Sequence, residues 1–378
     1  MPLYNDDEEV LTRKSAAKVL NKKLDRFEEI RRRLKGVSDE FKQEVATAAE
    51  PVEFVSTGVR AVDRITNGGI PKGRVTEIYG PFSAGKTLLC QSTIVQLQKE
   101  DGWPIFVDRE RSYNKEFWEA TGVDSSRLVL ERRKRTVEDI FDYIMESMEQ
   151  VRKIDKKVTI GVFIDSIAAA NTKKELARKK KMQDDDDARA AWDNDMGFRA
   201  KMIGEGCRKL SGIMDERMFV VIINQVRSKV GVVFGNPEVT TGGQALPYFA
   251  SLRLRVQQGV LKKHGHKVPV IEDGMTIGQH VLCSVTKSKV GPPLRRCEIV
   301  QSFEFGFLEW PGLFECLLDE GIIGVREKGK EFVYEGKAHK ASRFVEWVKE
   351  NPDVVGAAPS KIDRDPDDVE AGEDESGG

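Results

Sequence analysis

Eight consecutive residues, Gly80-Pro81-Phe82-Ser83-Ala84-Gly85-Lys86-Thr87, follow the pattern GxxxxGK[ST]. Gly80 and Gly85 let the backbone curl so that successive N–H groups face a phosphate chain. Lys86 neutralises β- and γ-phosphate charge, and Thr87 offers a hydroxyl to Mg²⁺. The chemistry is capture of a nucleotide by its phosphates. Such a cradle needs a strand before it and a helix after it. The apolar run Val75-Thr76-Glu77-Ile78-Tyr79 and the stretch opening Leu88-Leu89-Cys90-Gln91 supply both, the helix adding its positive dipole end.

Other chemistry-bearing residues stand at the ends of apolar runs. Val158 to Ile164 ends in Asp165-Ser166; an aspartate there is ordinarily a cap, but with a phosphate cradle upstream it reads as the carboxylate that holds Mg²⁺ through water. Ile105-Phe106-Val107 ends in Asp108-Arg109-Glu110. Glu110 is the first choice to orient or deprotonate an attacking water, against the alternative of a surface carboxylate paired with Arg109 or Arg111. Met218 to Ile223 ends in Asn224-Gln225, whose amide would feel whether a γ-phosphate is present.

A glycine-rich segment of 226–244 follows, read as one uninterrupted loop. It offers Arg227 and Lys229 to phosphates, Gly242 and Gly243 as backbone donors, and Val230 and Phe234 to bases; the alternative is a flexible lid of no particular ligand. Lys287-Ser288-Lys289 alternates as on a strand, so two ammonium groups share a face, which suits an anion, although an exposed edge strand with solvated lysines is the ordinary explanation.

The chain that must position these groups has 378 residues, room for roughly two domains with appendages. Lys+Arg 61 against Asp+Glu 62 leaves a net charge of -1, so attraction to nucleic acid must come from local clusters. Five cysteines without a CxxC pair fit reduced thiols in a cytoplasmic protein and no structural zinc. No apolar run reaches the roughly 18 residues of a membrane span, and Met1 to Glu9 is acidic where a signal peptide would be basic.

Residues 11–35 carry ten Lys/Arg against three acids, with Leu20, Leu24, Phe27, Ile30 and Leu34 forming one apolar stripe of a basic helix. This arm packs on its own core or a neighbour, or else contacts phosphates directly; a polar linker then runs to Pro51. From Val52 short apolar runs (75–79, 104–107, 158–164, 218–223) alternate with amphipathic stretches such as 137–151. The pattern predicts an α/β fold with a mostly parallel central sheet and ligands at the carboxyl ends of its strands. Runs 252–256, 280–286 and 297–303 suggest an antiparallel extension, and a small C-terminal α+β domain follows at 309–362. Residues 363–378 hold eight acids against Arg364 alone and are expected to be disordered; the Lys/Asp block of 173–187 is expected to be a mobile loop.

Taken together, Ser56-Thr57-Gly58, Asn67-Gly68-Gly69-Ile70-Pro71-Lys72-Gly73-Arg74, Glu77 to Pro81, Phe163 to Ser166, Ile223 to Arg227, Phe234 to Glu238 and Thr241 to Leu246 resemble the RecA family of DNA strand-exchange recombinases. The likeness runs from about Val52 to Phe305, with a weaker echo at 347–352, is nearer the bacterial branch, and suggests a divergent or virus-encoded member. It implies a RecA-like P-loop ATPase core (52–308) behind an N-terminal helical arm (1–51). The activity implied is an ATP- and Mg²⁺-dependent filament that forms on single-stranded DNA and pairs it with homologous double-stranded DNA, with ssDNA-binding or mediator proteins as possible partners.

By position, Lys86, Thr87 and Asp165 resemble the phosphate and magnesium residues, Glu110 the catalytic glutamate, and Gln225 the sensor. Lys287 and Lys289 resemble the pair that reaches a neighbour's γ-phosphate. The segment 226–244, including Ser228 and Gln244, resembles the second DNA loop, Met196 and Arg208 match DNA-contacting positions near the first, and Phe117 and Phe303 stand where tyrosines usually lie near the adenine.

Three departures are visible. The first DNA-loop region is enlarged by 173–187. Gln257-Gln258 replace a basic pair associated with duplex capture, for which Lys262, Lys263 and Lys267 could substitute. The first 51 residues scarcely match. A ring-forming helicase or repair ATPase on the same core would more often bring a second catalytic domain or zinc motif, and a small-molecule kinase would not need 226–244.

Overall fold

The computed structural model describes residues 51–181, 193–228, 238–259, 269–272, 275–303, 306–308, 313–319, 321–326, 331–340, 343–351 and 354. The basic arm, the acidic tail and Lys262, Lys263 and Lys267 lie outside them.

A two-stranded entry, β1 (Phe54–Val55) and β2 (Ile70–Pro71), brackets helix α1 (Arg60–Thr66). The core then alternates: β3 (Val75–Gly80), α2 (Lys86–Lys99), β4 (Trp103–Asp108), α3 (Lys115–Ala120), β5 (Val129–Glu131), α4 (Val137–Ile154) and β6 (Ile160–Asp165). Helices α5 (Lys173–Lys181) and α6 (Asp193–Ile213) lead to β7 (Met218–Ser228), β8 (Glu238–Thr240), α7 (Ala245–Phe249) and β9 (Leu252–Gln258). Antiparallel strands β10 (Pro269–Glu272), β11 (Met275–Ser288), β12 (Arg296–Ser302) and β13 (Gly306–Leu308) complete the main sheet, ordered β13-β12-β11-β9-β3-β7-β6-β4-β5. From β9 to β5 every neighbouring pair is parallel; from β9 to β13 every pair is antiparallel.

Side-chain alternation explains why the sheet must be covered twice. On β7, Phe219, Val221 and Ile223 face one core with Leu89, Ile94 and Leu97 of α2, while Met218, Val220 and Ile222 face another with Ile140, Ile144 and Met148 of α4 and Ile203 and Leu210 of α6. Strands apolar on both faces are the continuous runs visible in sequence.

The Lys/Asp block departs from expectation: 173–181 is helical. Thr172 and Glu175 cap the helix reciprocally, Thr172 N–H donating to Glu175 Oε2 (2.7 Å) and Glu175 N–H to Thr172 Oγ1 (3.1 Å). Arg199 of α6 then grips Glu175 at 2.8 Å.

A separate small cluster forms from α8 (Leu313–Asp319), the antiparallel sheet β14 (Gly324–Arg326), β15 (Glu331–Tyr334) and β16 (Lys337–Lys340), and α9 (Phe344–Glu350). Phe332 centres it, its ring 5.4 Å from Phe344 and 4.9 Å from Trp347. Among the described residues all cysteines are buried without a disulfide, and no helix is long and apolar enough to cross a membrane.

Candidate functional site

The phosphate loop joins β3 to α2. A Cβ on Gly80 would lie 1.8 Å from the Val256 carbonyl oxygen of β9, so only glycine lets the strand leave the sheet there. Ser83 (φ 56°) and Gly85 (φ 91°) are left-handed, the conformation that turns consecutive N–H groups toward one point. Lys86 is buried and donates to the Gly80 and Pro81 carbonyls at 3.2 and 2.5 Å. Burial lowers its pKa, opposed by the charges of Glu110 and Asp165. Phe82 stands exposed at the tip.

Asp165, 1% exposed at the end of β6, accepts from Thr87 Oγ1 (2.6 Å) and Ser112 Oγ (3.0 Å) on the same oxygen. Burial pushes its carboxyl up to about 6; the Thr87 hydrogen bond opposes this, and the charges of Glu110 and Asp108 add to it. A buried, poorly solvated carboxylate beside a threonine hydroxyl is a donor set that suits a hard divalent cation such as Mg²⁺.

The tips of β4 and β6 are tied together by backbone: Arg109 and Glu110 N–H both donate to the Asp165 carbonyl, at 2.6 and 3.1 Å. Glu110 Oε1 thereby meets Gln225 Nε2 at 2.6 Å and the Ser166 hydroxyl. These, and not Arg109 or Arg111, are its partners among the described residues. Sequence reasoning missed Ser112, Ser166, Asp108 and Arg132. Buried Asp108 accepts Ser112 N–H at 2.8 Å and pairs with Arg132 at 3.0 Å, folding the turn that returns Ser112 to Asp165. Its place in the run Val107-Asp108-Arg109-Glu110 was a signal, since an acid at a strand tip needs a partner.

Beyond Gln225 the chain does not leave as a loop. β7 continues to Ser228 and pairs with β8, Val226 opposite Thr240 and Arg227 opposite Val239, so 226–228 and 238–240 form an antiparallel stem. Lys229, Val230 and Phe234 lie outside the described residues. Asn224 fixes the stem's root, its Nδ2 donating to the Thr241 carbonyl and to Glu77 Oε1, both at 2.9 Å. Fully buried Glu77 also binds Arg253 of β9, which lies 4.5 Å over the Tyr79 ring. Gly242, Gly243 and Gln244 follow the stem; Gly243, Gln244 and Arg227 are exposed.

Residues 30–307 match the RecA N-terminal domain, well over half of the chain. The chain belongs to the RecA family. Protein RecA of Mannheimia haemolytica is 32% identical over 323 residues, 84% of this chain and 79% of the relative. Protein RecA of Thermotoga neapolitana is 31% identical over 326 residues (84% and 85%), and that of Streptomyces rimosus 30% over 319 (83% and 77%). Family membership implies an ATPase of DNA recombination and repair.

The remaining positions singled out by the RecA resemblance are spread more widely. Lys287 donates to the Pro247 and Tyr248 carbonyls at 2.7 and 2.8 Å, and burial, then the nearby Lys289 and Arg253, lower its pKa. The expected regular alternation is broken: the register shifts between Val285 and Lys287, and exposed Lys289 falls one residue past β11. Phe117 on α3 packs against the core, whereas Phe303 is half exposed just past β12. Met196 is on α6, and Arg208 is exposed on the same helix.

Proposed function

We propose that this protein is an ATP-dependent DNA recombinase: it assembles as a helical filament on single-stranded DNA, pairs it with homologous duplex, and hydrolyses ATP in response to single-stranded DNA. The observation that carries the reading is the contact of Gln225 with Glu110. It joins the root of a glycine-rich hairpin to a carboxylate beside the phosphate loop, a link with no purpose in an enzyme that only phosphorylates small molecules.

In this reading Lys86 and the loop N–H groups bind the triphosphate, and Thr87 and Asp165 are the residues that would hold Mg²⁺, which supplies neutralisation of phosphate charge. Glu110 takes the proton of the attacking water on its carboxylate. Gln225 holds Glu110 and, through Asn224 and Thr241, answers to the hairpin. Arg227, Ser228, Lys229, Val230, Phe234, Gly242, Gly243 and Gln244 contact DNA from that hairpin, with Met196 and Arg208 from α6. Phe117 and Phe303 flank the base of ATP. Lys287 and Lys289 serve the neighbouring protomer's nucleotide, so that ATP bridges adjacent copies. The arm of 1–51 docks on a neighbour, the 309–362 unit is the small end domain, and the protein works in the cytoplasm.

ATP hydrolysis measured with and without single-stranded DNA tests the reading. Stimulation by DNA is expected; a rate indifferent to DNA would contradict it.

A further inference from the structure

One amide of the antiparallel strands, Gln279, bonds the main chain of the phosphate loop, and two more, Gln258 and Gln301, bond Gln279 in turn. Gln279, on the antiparallel strand β11, is 7% exposed. Its Nε2 donates to the Ser83 carbonyl at 2.7 Å and to Gln301 Oε1 at 2.9 Å, while its Oε1 accepts from Gln258 Nε2 at 2.8 Å. A backbone carbonyl only accepts, so the nitrogen of Gln279 must face Ser83 and its oxygen must face Gln258. The direction of this relay is therefore set by the main chain of the loop itself.

Ser83 is where the loop needs such a hold. It is a non-glycine residue at φ 56°, a conformation L-residues disfavour and keep only when the surroundings impose it. Two residues on, Gln301 Oε1 would stand 2.9 Å from a Cβ on Gly85, and the Phe307 ring 3.3 Å, so β12 and β13 close over the same turn. An anion cradle works through N–H groups already aimed before the anion arrives, because ordering them afterwards subtracts from affinity.

We propose that Gln279 is a positioning residue that locks the Ser83 turn of the phosphate loop in its anion-binding shape, with Gln258 and Gln301 orienting its amide. The inference rests on the reading that this loop takes a nucleoside triphosphate. It goes further by assigning the loop's shape to residues nearly 200 positions away in sequence.

The test is equilibrium binding of a fluorescent ATP analogue with Mg²⁺ to the full-length chain, alongside thermal unfolding without nucleotide. Gln279→Ala should weaken nucleotide binding about fivefold to tenfold, the size of one lost buried hydrogen bond. Gln279→Glu should weaken it further, since a carboxylate would face the Ser83 carbonyl and the Gln301 oxygen. Gln258→Ala, at an exposed position that does not threaten folding, should cost about twofold to threefold, and combined with Gln279→Ala should add nothing. A purely structural role would lower the melting temperature and leave nucleotide affinity unmoved. If the parent protein binds the analogue and all three variants bind within twofold of it, Gln279 does not position the loop. If the parent protein fails to bind, the nucleotide reading beneath the proposal falls instead.

Discussion

Gln225 Nε2 lies 2.6 Å from Glu110 Oε1, joining β7, at the point where its parallel pairing with β3 ends, to the turn just past β4. Glu110 also holds the Ser166 hydroxyl, and its main-chain N–H bonds the Asp165 carbonyl. Through its carboxylate Glu110 thus touches the candidate sensor and Ser166 just past β6, and through its main-chain N–H the backbone of Asp165 in the candidate cation site.

If Glu110 is the base, Glu110→Gln keeps both contacts in outline and removes only the ability to take a proton. Turnover should fall by about 10²- to 10⁴-fold while nucleotide affinity changes little. Steady-state hydrolysis and analogue binding on the same preparation separate the two.

If Asp165 holds the cation, it sets a pH dependence. Its carboxyl is raised from 3.8 to about 6, so the fold favours the protonated form: its contribution to stability is fully present below pH 3.8 and lost as pH climbs through about 6. A cation binds only the carboxylate, so protons compete with Mg²⁺ below about pH 6. Mg²⁺-dependent nucleotide affinity should drop toward tenfold per pH unit there and level off above pH 7. Asp165→Asn should weaken binding at neutral pH and flatten the profile; titrations of Mg²⁺ at fixed analogue from pH 5 to 8 decide.

The Glu77–Arg253 pair is buried, with side chains 0% and 17% exposed. Removing the carboxylate leaves a largely buried guanidinium without its acid and takes from Asn224 one of its two acceptors. Glu77→Ala should cost about 3–5 kcal/mol in denaturant unfolding, and Glu77→Gln less, because an amide oxygen still accepts from Asn224.

The reciprocal cap of α5 predicts a local effect. Glu175→Ala removes the cap of Thr172 and the partner of Arg199, and should cost about 1–2 kcal/mol, read as faster amide exchange over 173–181 ahead of the core strands.

The central sheet was legible because its strands are apolar on both faces: the run around Val220 predicts a doubly covered strand, and Met218 to Ile223 indeed splits between two cores. The phosphate loop and Asp165 were legible because a short pattern and a strand tip are local. What escaped depends on distant chain. Ser112 reaches Asp165 only because Asp108 folds a turn, and nothing in sequence couples Gln279 to Ser83. The helix at 173–181 was hidden by charge: its cap is a threonine and a glutamate inside a lysine run. The extension of β7 was hidden because Val226-Arg227-Ser228 is too polar to read as strand, and pairing with β8 makes it one.

The measurement closest to the heart of the account is binding of a labelled single-stranded oligonucleotide, followed by anisotropy and electron microscopy, with a non-hydrolysable ATP analogue and with no nucleotide. The account predicts tight binding and helical filaments with the analogue, a steep loss of affinity with added salt, and weak binding without nucleotide. Equal DNA binding and assembly in the presence and absence of nucleotide would contradict it.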